Sequence, residues 1–201
     1  MTMTKGLLIV LSGPSGSGKD SLLQQVLANG EQIALSISAT TRQPREGEID
    51  GVHYHFTTHA EFEQKLANGA ILEHTVYNGQ YYGTPKDAVD FWLNSGKTVV
   101  LEIEVEGAAN IATQYPDCVR VFLVPPSLAV LRQRLIDRRT NTPKDIERRI
   151  NIAKQELTHA PGFDYIIRNC VLTNAATDFQ AIIRAEMLRD KNILTEVMND
   201  A

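Results

Sequence analysis

The sequence predicts an α/β protein with a parallel core sheet, on three observations. An apolar run, Leu7-Leu8-Ile9-Val10-Leu11, leads into Gly13-Pro14-Ser15-Gly16-Ser17-Gly18-Lys19-Asp20, and a helical pattern follows at once. Strand, glycine-rich loop, helix is the context that a phosphate-binding loop requires. Later apolar runs alternate with helical patterns, which is the rhythm of a parallel sheet with crossover helices. Between about 35 and 84 that rhythm gives way to short alternating strands and one helix, which reads as a small β-rich insertion.

The first run is short, continuous and apolar, as a strand buried on both faces should be. Glycines at 13, 16 and 18 let the loop turn its N–H groups toward phosphate oxygens, and the next helix adds a positive dipole end. Lys19 supplies a point charge for the outer phosphates. A serine or threonine hydroxyl is expected on magnesium at the next position, where this chain has Asp20. Two readings stay open. The carboxylate ligates magnesium, or it favours the helix start through the dipole. The helix carries Leu22, Leu23, Val26 and Leu27 inward and stops near Asn29-Gly30.

Residues 33–39 alternate and read as a strand. The polar stretch Thr40 to Glu48 follows, with Arg42 and Arg45 beside Pro44. Two guanidinium groups there suit a doubly charged oxyanion, but on this segment alone a solvated loop is an equal reading. Val52 to Phe56 reads as a short strand. His53, His55 and His59 lack a completing Cys or carboxylate in sequence, so a half-exposed strand is preferred to a metal site. Thr58 and Glu61 form a capping box for a helix with Phe62 and Leu66 inward, ending at Gly69. Residues 70–76 and 80–82 pair across Asn78-Gly79 as a hairpin.

Thr84-Pro85-Lys86-Asp87 predicts a helix with Thr84 as cap and Ala88, Phe91 and Trp92 along it, ending at Gly96. Thr98 to Val105 reads as a strand with Glu102 and Glu104 on one face and Glu106 at its end. Buried acids are costly without partners, so these are read as functional. Val119 to Val124 is the next strand. Ser127 starts a helix through Leu128, Leu131 and Leu135 that runs into Arg132, Arg134, Arg138 and Arg139. Thr142-Pro143 restarts a helix with Ile146, Ile150, Ala153 and Leu157 inward and Arg148 and Arg149 outward. An arginine-rich hinge between two helices reads as a lid. Asp164 to Asn169 is a last short strand, and the final helix carries Phe179, Ile182, Ile183, Met187 and Leu188.

Of the 201 residues, 43% are apolar, enough for one domain with attachments, and the net charge of −4 argues against a general nucleic-acid binder or a polybasic membrane contact. Cys118 and Cys170 stand far apart in no metal spacing, as in a reduced cytoplasmic protein. No apolar run is long enough to span a bilayer, and no signal peptide precedes the first strand. The expected division is a core of 1–34, 85–126 and 159–201, an insertion at 35–84 and a lid region at 127–158. The sequence leaves open whether the chain is a monomer or a homo-oligomer.

Ser38, Thr41-Arg42-x-Pro44-Arg45-x-Gly47-Glu48, Gly51-x-x-Tyr54, Glu73 and Asn78-Gly79-x-Tyr81-Tyr82-Gly83-Thr84 resemble, in order and spacing, the GMP-binding pattern of guanylate kinases. The resemblance covers nearly the whole chain. It implies a P-loop nucleoside monophosphate kinase fold and transfer of the γ-phosphate of ATP to GMP, with magnesium as cofactor. It implies that Ser38, Arg42, Arg45, Tyr54 and Tyr82 hold the GMP phosphate, and that Glu73, Thr84, Glu102 and Glu104 read the guanine edge. ATP would lie on Gly13-Pro14-Ser15-Gly16-Ser17-Gly18-Lys19-Asp20-Ser21, with Asn169 at the adenine. Lys19, Arg45, Arg134, Arg138 and Arg149 would act on the transferring group.

The chain departs from the family where Leu101-Glu102-Ile103-Glu104-Val105-Glu106-Gly107 stands for Leu-Asp-Ile-Asp-x-Gln-Gly, where Arg138-Arg139-Thr140 stands for Arg-Gly-Thr, and where Asn169-Cys170 stands for Asn-Asp. The string Gly18-Lys19-Asp20-Ser21-Leu22-Leu23 resembles instead the loop of ribose 1,5-bisphosphate phosphokinases, the second reading. A third is a guanylate-kinase-like binding module that no longer catalyses, against which the intact Gly18-Lys19 and the lid arginines argue.

Overall fold

The computed structural model describes residues 6–28, 32–77, 79–137, 142–189 and Met198. A five-stranded parallel sheet runs through the centre in the order β2-β7-β1-β8-β9. Its strands are β1 (Leu8–Ser12), β2 (Ile33–Leu35), β7 (Thr98–Glu102), β8 (Val119–Val124) and β9 (Tyr165–Arg168). β1 is central and buried at every position, which is why it reads as a continuous apolar run.

Alternate residues of this sheet feed two cores. Ile9, Leu11, Val100, Val121 and Leu123 pack against α1 (Lys19–Ala28) and α7 (Leu172–Met187). Leu8, Val10, Val99 and Leu101 pack against α3 (Lys86–Asn94) and α4 (Val105–Gln114) on the other face. Each such side chain contributes about 1.5–3 kcal/mol by leaving water. The sheet is thereby held rigid, and its C-terminal edge is where ligands sit in open α/β sheets.

A second sheet, order β4-β3-β6-β5, consists of β3 (Ala39–Thr40), β4 (His55–Phe56), β5 (Ile71–Tyr77) and β6 (Gln80–Pro85). Helix α2 (His59–Ala67) lies on it, held by the expected Thr58–Glu61 capping box. The buried core of this part is small, consisting of Ala39, Phe62 and Ile71 with Leu66 and Tyr81 against them. Phe62 is fully buried and stacks on Tyr81 at 5.0 Å between centroids. Helices α5 (Leu128–Asp137) and α6 (Pro143–Leu157) pair through Leu131, Leu135, Ile146, Ile150 and Ala153. Ser127 Oγ accepts from Val130 N, and Thr142 and Asp145 cap α6 reciprocally.

Several elements differ from the sequence-based expectation. The strand expected over 33–39 is two strands in different sheets, because Ser36 N still bonds Val100 O of the core before the chain crosses over. The one expected over 52–56 is regular only at 55–56, since His53 Nδ1 accepts from Ile49 N and holds a turn there. Thr84 does not cap α3. Its hydroxyl is used elsewhere, and Pro85 takes the cap position without a side-chain bond. The buried residues of α3 are Val89 and Leu93, at helical spacing, while Phe91 is exposed. At the end of α7, Met187 and Leu188 are exposed as well. The strand expected over 98–105 stops at Glu102, and Glu104 begins α4, a helix the sequence reading lacked.

Candidate active site

β1 and β7 end side by side, with Leu11 paired to Glu102, so the loops that follow them share one edge of the sheet. The loop after β1 curls from Gly13 to Gly18 and is made of main chain. Gly13 has φ of 140°, and a Cβ there would lie 2.2 Å from Leu123 O. Gly18 has φ of 100°, and a Cβ there would meet Asn169 Nδ2 at 2.5 Å. Pro14 O accepts from Ser17 N at 3.0 Å, closing the turn. Lys19 opens α1 and donates from Nζ to Gly13 O at 2.6 Å, so it lies across its own loop. Asp20 and Ser21 are exposed on the first turn of α1.

Asn169 is buried and donates from Nδ2 to Ser17 O at 2.8 Å. Arg134 donates to Ser17 O at 3.0 Å, to Gly16 O at 3.4 Å and to Asn169 O at 3.2 Å. These two side chains, expected from the resemblance at the adenine and at the transferring group, bond to the loop's carbonyls and brace it. Arg149, from α6, donates to Ser15 Oγ at 3.1 Å. Arg138 lies outside the described residues.

A cleft of ≈ 400 Å³ opens beside the loop. Its walls come from the loop (Ser15), the second sheet (Glu73, Thr75, Tyr77, Tyr82), the end of β7 (Glu102, Ile103, Glu104) and helix α6 (Arg149, Glu156). Ser38 and Tyr54 complete the wall nearest β3 and β4. Of the residues the sequence singled out for one ligand, Ser38, Tyr54, Glu73, Tyr82, Glu102 and Glu104 line this one cavity.

The floor is Glu73, buried, with Thr84 donating to its Oε1 at 2.7 Å. Burial pushes the Glu73 carboxyl above the ordinary carboxylate range, helped by the charge of Glu104, although the Thr84 bond works the other way. Gly107 of α4 sits directly against it. A Cβ at 107 would lie 2.6 Å from Glu73 Oε2. Glu104 makes no cap bond at the start of α4, so its carboxylate is left for the cleft. Glu102, which lines the cleft with Glu104, also lies within hydrogen-bonding reach of Asp20 and feels the charge of Lys19. Burial, against which Lys19 works, raises it to about 7.

Beside the lining residue Tyr54, Arg42 and Glu48 form a two-pronged ion pair, Nη1–Oε2 2.8 Å and Nη2–Oε1 2.9 Å. The Arg42 guanidinium lies over the ring of Tyr54 at 5.3 Å. Tyr54 meets Tyr82 edge to face at 5.9 Å. The Arg45 side chain is exposed and makes no hydrogen bond or ion pair among the described residues.

The family model described as guanylate kinase matches residues 5–186. The chain belongs to the guanylate kinase family. It is 44% identical over 190 residues to a guanylate kinase of Bacillus subtilis (strain 168), covering 94% of this chain and 93% of that one. It is 43% identical over 185 residues to one from Clostridium perfringens (strain 13 / Type A), covering 92% and 86%. The crystal structure of guanylate kinase from Anaplasma phagocytophilum superposes with a TM-score of 0.74 at 30% identity, covering 91% and 87%. The fold is that of the P-loop nucleoside monophosphate kinases. Among the described residues no helix is long and apolar enough to cross a membrane.

Lining residues that the sequence did not single out for a ligand are Thr75, Tyr77, Gly83, Ile103, Arg148, Ile152 and Glu156. Thr75 and Tyr77 follow Glu73 at the strand period of two, and Ile152 and Glu156 follow Arg149 along one face of α6. Both periodicities were available once one member of each row was chosen.

Proposed function

We propose that this member of the family transfers the γ-phosphoryl group of ATP to GMP in the cleft described, with the labour divided between its two sides. The observation that carries the reading is the buried Glu73–Thr84 pair. Guanine presents donors at N1 and N2 that a carboxylate accepts, and adenine would leave the Glu73 oxygen not bonded by Thr84 without a donor, at a cost of about 1–3 kcal/mol. Glu104 adds a second acceptor on the same side. Ser38, Tyr54, Tyr82, Arg42 and Arg45 hold the acceptor phosphate.

On the donor side the loop N–H groups and Lys19 hold the ATP phosphates, which requires Lys19 to leave Gly13 O. Arg149 reaches the transferring group from α6, beside Ser15, and Arg138 is assigned to the same group by the family resemblance alone. Arg134 and Asn169 fix the loop's shape. Such a reaction needs positioning and charge neutralisation more than covalent chemistry. The α5–α6 pair works as a lid that excludes water.

The donor set at the loop suits magnesium, a hard cation held through one or two carboxylates and substrate phosphates. Asp20 and its neighbour Glu102 would hold it. When bound, magnesium neutralises charge on the phosphoryl oxygens. Two free thiols, Cys118 and Cys170, and these two substrates support a cytoplasmic site of action.

ADP formation should be measured against GMP, dGMP, AMP, CMP, UMP and ribose 1,5-bisphosphate. GMP is expected to be the preferred acceptor, with dGMP weaker. AMP equalling GMP, or ribose 1,5-bisphosphate exceeding it, would overturn the reading.

A further inference from the structure

Glu48 is an anion paired with Arg42, a residue proposed above to hold an anionic substrate group. That is unfavourable unless its charge serves another purpose. Its carboxylate takes both prongs of Arg42, at 2.8 and 2.9 Å, and also accepts from Arg45 N at 2.7 Å. Glu48 N in turn donates to Arg45 O at 3.0 Å, so the loop closes on itself. Arg42 Nη1 donates further to Gln43 O at 2.8 Å. The side chains of Arg42 and Glu48 keep only 15% and 17% of their exposure.

A guanidinium has five N–H donors in a rigid fork. The end-on pair with Glu48 and the bond to Gln43 commit Nη1 and one hydrogen of Nη2. What remains is the side edge of Nε and Nη2. The same guanidinium lies over Tyr54 and within hydrogen-bonding reach of Tyr82, two residues of the cleft wall. Arg45 is the opposite case. Its backbone is pinned by Glu48 and its side chain is uncommitted among the described residues.

We propose that Glu48 is a positioning residue for the acceptor phosphate: it fixes Arg42 so that only the side edge of the guanidinium faces Tyr54 and Tyr82, and it pins the loop so that Arg45 is the mobile charge. The two arginines are then unequal. Arg42 is held in an ion pair with Glu48, while the Arg45 side chain feels Glu48 only through space and forms no ion pair among the described residues. The inference rests on the acceptor-site reading above.

Simple charge counting and positioning predict opposite signs for one substitution. Glu48→Gln removes a negative charge near the phosphate, so charge counting alone predicts tighter GMP binding. Positioning predicts weaker binding, because Arg42 loses its second strong acceptor and its orientation. The quantity to measure is the ratio of guanosine to GMP dissociation constants, for the native protein and for Glu48→Gln, by calorimetry. Guanosine uses the base pocket and lacks the phosphate, so the ratio isolates the phosphate contribution. The ratio is expected to fall about ten-fold in Glu48→Gln while guanosine binding is retained. A ratio that stays the same, with both ligands weakened equally, would show a loop scaffold and overturn the inference. So would a ratio that rises. A native protein that binds guanosine as well as GMP would overturn the acceptor-site reading itself.

Discussion

The two sides of the cleft are built from different material. The donor side is main chain. Its loop is shaped by glycines whose missing Cβ atoms leave room for Leu123 O and Asn169, and is braced by bonds to the carbonyls of Gly16 and Ser17. The acceptor side is side chain. Glu73 is held by Thr84, Arg42 by Glu48, and Tyr54 by Tyr82. Behind the loop stands a core packed on both faces of the sheet, while the second sheet rests chiefly on Ala39, Phe62 and Ile71. A phosphate is the same in every nucleotide, and a backbone cradle suffices for it. A base must be told from other bases, which needs donors and acceptors at chosen places, and only side chains supply that choice.

The largest effect should come from Lys19→Ala. Lys19 is the charge proposed for the ATP phosphates, and its loss should lower kcat by about 10²–10³-fold, the scale of losing one charge-stabilising donor. The GMP KM should be unchanged. If steady-state kinetics showed the GMP KM rising in step, the two sides would not be separate.

Phe62→Ala attacks the acceptor side through its small core. It should cost about 3–5 kcal/mol, since a fully buried aromatic is removed and the site has few neighbours to collapse inward. Urea unfolding should become two transitions, the second sheet melting first while ADP binding persists. A single transition at lower urea, with ADP binding lost alongside, would show that the two sides fold as one unit.

Gly107→Ala is smaller. The added methyl must displace the Glu73 carboxylate, from which it would stand at 2.6 Å. The GMP KM should rise about ten-fold, the size of one misplaced hydrogen bond to a charged group. The ATP KM should hold. An unaltered GMP KM would mean that Glu73 is not the base reader.

The smallest effect is a proton. Glu73 is raised by burial, so its contribution to stability is present at pH below its unfolded value and is lost as pH rises through the folded one. Guanine donors favour the ionised carboxylate. GMP affinity should therefore increase with pH over that range, and binding should release up to about one proton. Calorimetry in buffers of different ionisation enthalpy measures this. Release that persists in Glu73→Gln would place the proton elsewhere.

The same contrast decides what the sequence made legible. The loop from Gly13 to Asp20 and the caps at Thr58 and Thr142 are local devices, completed within a few residues, and their patterns were readable. Thr84 was misread because Thr-Pro is a local cap signal, whereas its hydroxyl is claimed by Glu73 on the neighbouring strand. Helix α4 was not expected, since the strand was carried on to Val105, and Gly107 in its first turn is a weak helix former. That glycine is kept there by the closeness of Glu73, a contact between distant parts of the chain. Glu102 and Glu104 were placed on one strand face, but the strand ends between them; both still line the cleft, Glu102 within reach of Asp20 and Glu104 close enough for its charge to act on Glu73. The brace of Arg134 on the loop joins residues more than a hundred positions apart and leaves no local trace.

The central claim is that base recognition belongs to the acceptor side alone and turns on Glu73. The direct test is equilibrium binding of GMP and of ADP, each alone, to the native protein and to Glu73→Gln. The substitution keeps shape but sets an amide donor against the donors of guanine. GMP binding should fall by about a hundred-fold, as a buried donor faces a donor, while ADP binding stays the same. GMP binding that survives the change, or ADP binding that falls with it, would contradict the account.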